Sequence, residues 1–116
     1  MMRIISGTHK GRRINPRNKL NLRPTTDRSK EALFNILENR YYFNNKNVLD
    51  LFSGTGNISL EFASRGTEEV IAVDNNFASV NFIENILLYS CFSSFFMSIV
   101  KIFGISILPN LSFNLT

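Results

Sequence analysis

Four residues carry the chemistry that this chain could do: Asp50, Gly54, Gly56 and Asp74. In "VLDLFSGTGNISLEFASRG", residues 48–66, an apolar run holds an acid and breaks into a glycine pair. In "VIAVDNN", residues 70–76, a second apolar run ends on another acid. Gly54 and Gly56 let the backbone turn sharply and let a ligand come closer than a Cβ would permit. Asp74 stands twenty residues beyond Gly54, where a carboxylate can accept hydrogen bonds from the vicinal hydroxyls of an adenosine ribose. The competing reading is that the glycines only tighten a turn and Asp74 only caps a helix; two acids in register with the glycine pair weigh against it. The dinucleotide fingerprint G-x-G-x-x-G is incomplete, because Ser59 holds its third position. Asp50, four residues ahead of Gly54, would repel a pyrophosphate and attract a ligand with an ammonium and a sulfonium. S-adenosylmethionine is such a ligand. A nicotinamide-dependent oxidoreductase is the rival, disfavoured by Ser59 and Asp50.

The elements that must hold these residues follow from the pattern around them. Residues 48–52 form an apolar run interrupted only by Asp50, the mark of a strand buried on both faces. Residues 53–56 read as a tight turn. Ile58, Phe62 and Ala63 share a helical face, and Gly66 is placed to stop that helix. Residues 70–73 form a second buried strand ending at Asp74, after which Phe77, Val80, Ile83 and Leu87 recur at helical spacing. Strand, helix, strand, helix with short links implies parallel strands and a right-handed crossover, hence an α/β Rossmann-like fold. Ligands in such sheets bind at the carboxyl ends of the strands, where both acids lie.

Upstream, "RIIS" and "RRIN" flank "GTHKG" and predict a small hairpin studded with Arg3, Lys10, Arg12 and Arg13. Residues 15–24, with two prolines and no periodicity, predict a loop. A helix should start at Thr26 or Asp27, with Leu33, Ile36 and Leu37 on one face and Arg28, Glu31, Asn35 and Glu38 on the other. "ENRYYFNNKN" ends it.

A chain of 116 residues is one domain at most, and 44% apolar with 19% charged residues excludes disorder throughout. The charge is uneven. Residues 1–40 hold ten Lys or Arg against three acids, while residues 41–116 hold three against six. A basic end on a near-neutral body suits a polyanion partner, although a merely solvated basic face would look the same. Cys91 is the only cysteine, so no internal disulfide forms, and no Cys/His cluster offers a metal site. His9 is the only histidine, which removes most schemes that need a histidine base; it reads as a solvated turn residue. "MMRIISGTHKGRR" lacks the apolar core of a secretory signal, so the cytoplasm is expected.

"LDLFSGTGNISLEFASRG" resembles the cofactor motif of S-adenosylmethionine-dependent methyltransferases. With "MRIISGTHKGRRI" and "LRPTTDRSKEALFNIL" it resembles the bacterial family that methylates the exocyclic N2 of a guanine in small-subunit ribosomal RNA. The resemblance runs from Met2 to about Ile86. It implies that Asp50, Phe52, Ser53, Gly54 and Gly56 form the cofactor loop, with Asp74 on the ribose and Asn75 beside the adenine. Arg23 and Thr25 of "RPTTDR" would lie over the methionine end. Arg3, Lys10, Arg12, Arg13 and Arg28 would hold ribosomal RNA, or the assembling small subunit, by its phosphates. A monomer is expected, and no membrane partner.

The family pattern continues with an Asp/Asn-Pro-Pro-aromatic motif that holds the target amine. Here Pro109 is followed by Asn110, and the other prolines are Pro16 and Pro24. Catalytic residues are therefore unassigned. From Asn85 to Thr116 the only charged residue is Lys101, and residues 86–108 are rich in Ile, Leu, Phe and Ser. A shifted reading frame or an early stop after about residue 86 is the favoured explanation; a buried strand region and a membrane span are the alternatives. The expected organisation is a basic hairpin and loop at 1–24, the first half of a methyltransferase domain at 25–88 and a divergent apolar tail at 89–116. A non-catalytic RNA- or cofactor-binding remnant of such an enzyme is the second functional reading.

Overall fold

Thr26 opens the long N-terminal helix as its chemistry requires. Its backbone is extended (φ −64°, ψ 151°), and its hydroxyl accepts a hydrogen bond from the Ser29 amide at 3.2 Å, satisfying one of the donors that a helix start leaves free. The computed structural model describes residues 2–16, 20, 22–89 and 100–104. Their elements run β1 (Met2–Arg3), β2 (Arg13–Ile14), α1 (Asp27–Arg40), a 3₁₀ turn (Phe43–Asn45), β3 (Asn47–Asp50), α2 (Asn57–Ser64), β4 (Glu69–Asp74), α3 (Phe77–Tyr89) and β5 (Val100–Gly104).

The expected hairpin is present, with β1 and β2 antiparallel and Met2 opposite Ile14. The expected parallel pair is present too. β3 and β4 are adjacent, with Val48 opposite Val70 and Asp50 opposite Ala72, and β5 adds a third parallel strand with Asp74 opposite Gly104. Within the apolar stretch 86–108, Val100–Gly104 thus takes the strand alternative, while residues 90–99 and 105–108 lie outside the described residues. Among the described residues no helix is long and apolar enough to cross a membrane.

Gly66 stops α2 by the route its sequence position suggested. At φ +94° it turns the chain left-handed, its amide donates to Ala63 O at 3.2 Å, and the Thr67 amide donates to Phe62 O at 3.3 Å. These two bonds satisfy carbonyls that the helix end would otherwise leave unpaired.

Two expectations about burial need correction. β3 is not buried on both faces: it stands at one end of the three-strand order, and Leu49 on it is 59% exposed. It also ends at Asp50, with Leu51 and Phe52 already in the turn. The second concerns the face that α1 buries. Leu33 and Ile36 are exposed, whereas Lys30 and Phe34 are buried. Phe34 packs edge-on against Phe62, with ring centroids 4.6 Å apart, and against Phe43 at 6.1 Å. One turn earlier, Lys30 finds a buried acid on α2, and that ion pair overrides the apolar count that favoured Leu33 and Ile36.

α2 likewise buries more than the face first drawn. Ile58 and Phe62 are only partly covered, while Ser59 is enclosed against Asp50, and Leu60, Glu61 and Ser64 are enclosed because the hairpin wraps the helix from the other side. Met2, Ile4 and Ile14 of the hairpin share one core with Leu60, Ala63, Val70, Ile83 and Leu87. Burying each such aliphatic side chain contributes about 1.5–3 kcal/mol, so the hairpin is welded to the body.

Candidate functional site

Because Asp50 pairs with Ala72, Asp74 lies two residues further along the neighbouring parallel strand. Both acids therefore stand at the same carboxyl edge, with Cα atoms about 8 Å apart from strand rise and spacing. The turn between β3 and α2 is anchored there. Ser53 N donates to Val73 O at 3.0 Å, and Gly56 N donates back to Ser53 O at 2.8 Å. Gly54 (φ +53°) and Gly56 (φ +78°) both take the left-handed backbone that favours glycine. Their surroundings differ. A Cβ on Gly56 would stand 2.9 Å from Ile83 Cγ1, so that glycine also lets α3 pack close; one on Gly54 would meet only Leu22 Cδ1, at 3.9 Å.

Each acid is fixed by a partner. Asp74 Oδ2 accepts from Gly54 N and Oδ1 from Asn76 N, both at 2.8 Å. Asp74 thus straps the glycine turn, and the cap of α3 is Asn76, whose Oδ1 accepts from Ala78 N at 2.9 Å. A carboxylate has about four acceptor positions, and the Gly54 and Asn76 amides take two of those on Asp74, which is buried. Asp50 Oδ2 accepts from Ser59 Oγ at 2.7 Å, and Ser59 is fully buried. Ser59 reads in the sequence only as a missing glycine; in the fold it holds the acid that precedes the turn. Ser53 Oγ is buried in the turn with no hydrogen-bond partner among the described residues. Phe52 is 85% exposed beside it, and Asn75 is exposed just past Asp74.

The segment carrying Arg23 and Thr25 is brought to this turn. Leu22 lies over Gly54, and Thr25 O accepts from Asn57 Nδ2 at 2.7 Å, while the side chains of Arg23 and Thr25 are exposed. Arg28 is exposed on the first turn of α1. Behind the site lies a cluster that the sequence did not announce. Glu61 accepts from the amides of Ile5 (3.0 Å) and Ser6 (3.1 Å), from Lys30 (3.0 Å) and from Arg65 (2.9 Å). Arg65 also reaches Glu38 at 2.9 Å and lies 4.4 Å over the Phe34 ring. The one available signal was the i, i+4 spacing of Glu61 and Arg65.

On the hairpin, Arg3 pairs with Asp27 at 3.3 Å, and Lys10, Arg12 and Arg13 are exposed. The loop between its strands grips α2: Thr8 N donates to Ser64 O at 2.8 Å and His9 N to Ser64 Oγ at 3.1 Å. Partial burial, and then the charge of Arg12, hold the His9 pKa below its ordinary 6.5. Among the described residues no group of His, Cys, Asp and Glu could hold a metal ion.

A parallel sheet whose first two strands bring acids to one edge across a double-glycine turn defines a Rossmann-like fold of the methyltransferase type. Solved structures agree. A putative methyltransferase, yhhF, from Escherichia coli matches with a TM-score of 0.70 at 25% identity, covering 93% of this chain and 56% of that one. A putative methylase from Haemophilus influenzae matches with a TM-score of 0.64 at 29% identity, covering 93% and 53%. Among curated proteins, the putative rRNA methyltransferase YlbH of Bacillus subtilis is 41% identical over 84 residues, 72% of this chain and 45% of the relative. Ribosomal RNA small subunit methyltransferase D of Haemophilus influenzae is 42% identical over 69 residues, 60% of this chain and 35% of the relative. The chain thus spans less than half the length of these curated relatives. The family described as Conserved hypothetical protein 95 matches residues 2–99, and the chain belongs to that family.

Proposed function

We propose that the chain supplies the cofactor-binding and RNA-gripping half of an S-adenosylmethionine-dependent methyltransferase acting on a guanine N2 of small-subunit ribosomal RNA. The observation that carries the reading is the turn from Ser53 to Gly56, with Asp50 and Asp74 fixed on either side of it. The residues present fit the group. The buried Ser53 hydroxyl lacks a partner among the described residues, the space over Gly54 meets only Leu22, and two acids face a ligand that carries positive charge and vicinal hydroxyls. When bound, the cofactor supplies a methyl group activated by its sulfonium.

The chain's own residues divide the work. Asp50, held by Ser59, offers negative charge to the cationic end of the ligand. Asp74 offers its remaining lone pairs to the ribose hydroxyls, with Asn75 beside the adenine. Phe52, Ser53, Gly54 and Gly56 shape the loop, and Arg23 and Thr25 reach toward the methionine end. Arg3, Lys10, Arg12, Arg13 and Arg28 attract RNA phosphates without regard to sequence. Two relatives carry ribosomal RNA methyltransferase names, which supports that substrate. Orientation of the guanine amine for in-line attack accounts for much of such a catalyst's advantage, and the 116-residue sequence holds no Pro-Pro-aromatic motif for that role. The residues that orient the guanine amine are therefore left unassigned.

Calorimetry tests the reading. Asp74→Ala should weaken S-adenosylmethionine binding by about 1–3 kcal/mol, the range for a charged hydrogen-bond partner, with the far-ultraviolet dichroism unchanged. Equal affinity of wild type and variant would reduce Asp74 to a strap for the glycine turn, and a thermal shift with a nicotinamide dinucleotide alone would favour the oxidoreductase.

A further inference from the structure

We propose that Asn57 and Lys30 are positioning residues of this site: together they fix the segment bearing Arg23 and Thr25 over the glycine turn and tie both to the basic hairpin. What that segment covers rests on the cofactor reading above; how it is held does not. The Lys30 ammonium is fully buried and meets three acceptors from two parts of the chain: Arg3 O on the hairpin, and on α2 Asn57 Oδ1 at 2.8 Å and Glu61 Oε2 at 3.0 Å. An ammonium has three donors, so all are used.

Asn57 is the first residue of α2, directly after Gly56, and it is buried as well. Lysine offers no lone pair, so the amide oxygen of Asn57 must face it, which fixes the orientation of the amide without ambiguity. The amide nitrogen is thereby turned outward to Thr25 O at 2.7 Å. One relay therefore runs from the hairpin carbonyl through Lys30 and Asn57 to the segment that lies on Gly54 through Leu22. None of the three hydrogen bonds in this relay involves a residue of the glycine motif itself.

The relay can be cut at one end. Asn57→Asp keeps the side chain's shape and its pairing with Lys30 but replaces the donor to Thr25 O with a carboxylate oxygen, which repels that carbonyl. In the full chain, amide order parameters at Leu22, Arg23, Thr25 and Thr26 should fall from about 0.85 toward 0.6 or below. Val70, Ala72, Ile5 and Ser6 should stay at wild-type values, which a general loss of structure would not allow. S-adenosylmethionine affinity by calorimetry should drop about tenfold, the scale of the fixed geometry lost with one hydrogen bond. Asn57→Ala, which removes the donor without adding charge, carries the same readouts if the Asp variant does not fold. If wild type binds no S-adenosylmethionine, the cofactor reading falls and the order parameters alone decide the positioning role. Unchanged order at residues 22–26 would overturn the proposal, as would lost order with unchanged affinity in a wild type that binds.

Discussion

At the scale of single residues, Glu61 is where hairpin, α1 and α2 meet, since it takes amides from Ile5 and Ser6 and cations from Lys30 and Arg65. Lys30 and Glu61 are both fully enclosed. A buried ion pair adds little over a well-packed apolar pair, but removing one partner strands the other charge, at a cost of about 3–5 kcal/mol. Glu61→Gln preserves volume but turns one of two acceptor oxygens into a donor that faces other donors, and it leaves Lys30 and Arg65 without their shared counter-charge. It should lower the free energy of unfolding by about that amount, a large share of the ~5–15 kcal/mol available to a domain. Urea titration of wild type and variant is the measurement, and a loss below about 1 kcal/mol would mean that the pair behaves as a solvated one. In the sequence Lys30 is only one more cation in a basic segment, and its acid stands 31 residues away. Nothing local distinguishes it from Arg28, which the fold leaves exposed. Asp50, Gly54, Gly56 and Asp74 were legible because backbone geometry and strand order constrain them within one contiguous stretch.

At the scale of elements, the hairpin loop is fitted to α2 through glycine. Gly7 sits at φ +92°, and a Cβ there would lie 1.9 Å from Ser64 O, inside its van der Waals surface. Gly11, at φ +86° in the same loop, has nothing within 4 Å of its would-be Cβ. The two therefore separate backbone strain from steric exclusion. Gly11→Ala should cost about 1–2 kcal/mol, the price of a left-handed alanine. Gly7→Ala should cost more, because the loop must also lift away from Ser64. Hydrogen exchange tells the two apart: the amides of Thr8 and His9, which donate to Ser64, should lose protection in Gly7→Ala and keep it in Gly11→Ala. Equal protection in both would mean that the loop shifts at no cost. The starts of α1, α2 and α3 and the stops of α1 and α2 could be read in advance because capping residues and periodicity are local. The buried face of α1 could not, because Phe34 is selected by Phe43 and Phe62 across the fold. The exposure of β3 depends on which strands flank it, and no residue of β3 encodes that.

At the scale of the whole molecule, the fold sorts the basic segment by use. Lys30 is consumed inside, Arg3 is partly engaged by Asp27, and His9 is held toward its neutral form. Lys10, Arg12, Arg13, Arg23 and Arg28 stay at the surface, on the hairpin and at the approach to the glycine turn. These exposed cations are the surface that the proposed function assigns to RNA phosphates. If Arg3, Lys10, Arg12, Arg13 and Arg28 each neutralise one phosphate, log K for single-stranded RNA should fall with log salt at a slope of about −3.5, from about 0.7 per contact. Arg12→Gln with Arg13→Gln should flatten that slope by about 1.4 whatever the RNA sequence, because phosphate contacts carry no base information. Fluorescence anisotropy across a salt series measures both. An unchanged slope in the double variant would move the RNA face off the hairpin. Incubation with labelled cofactor and unmodified small ribosomal subunits should meanwhile yield bound complex and no labelled guanine. Stoichiometric labelling would mean that the chain orients the amine without the motif.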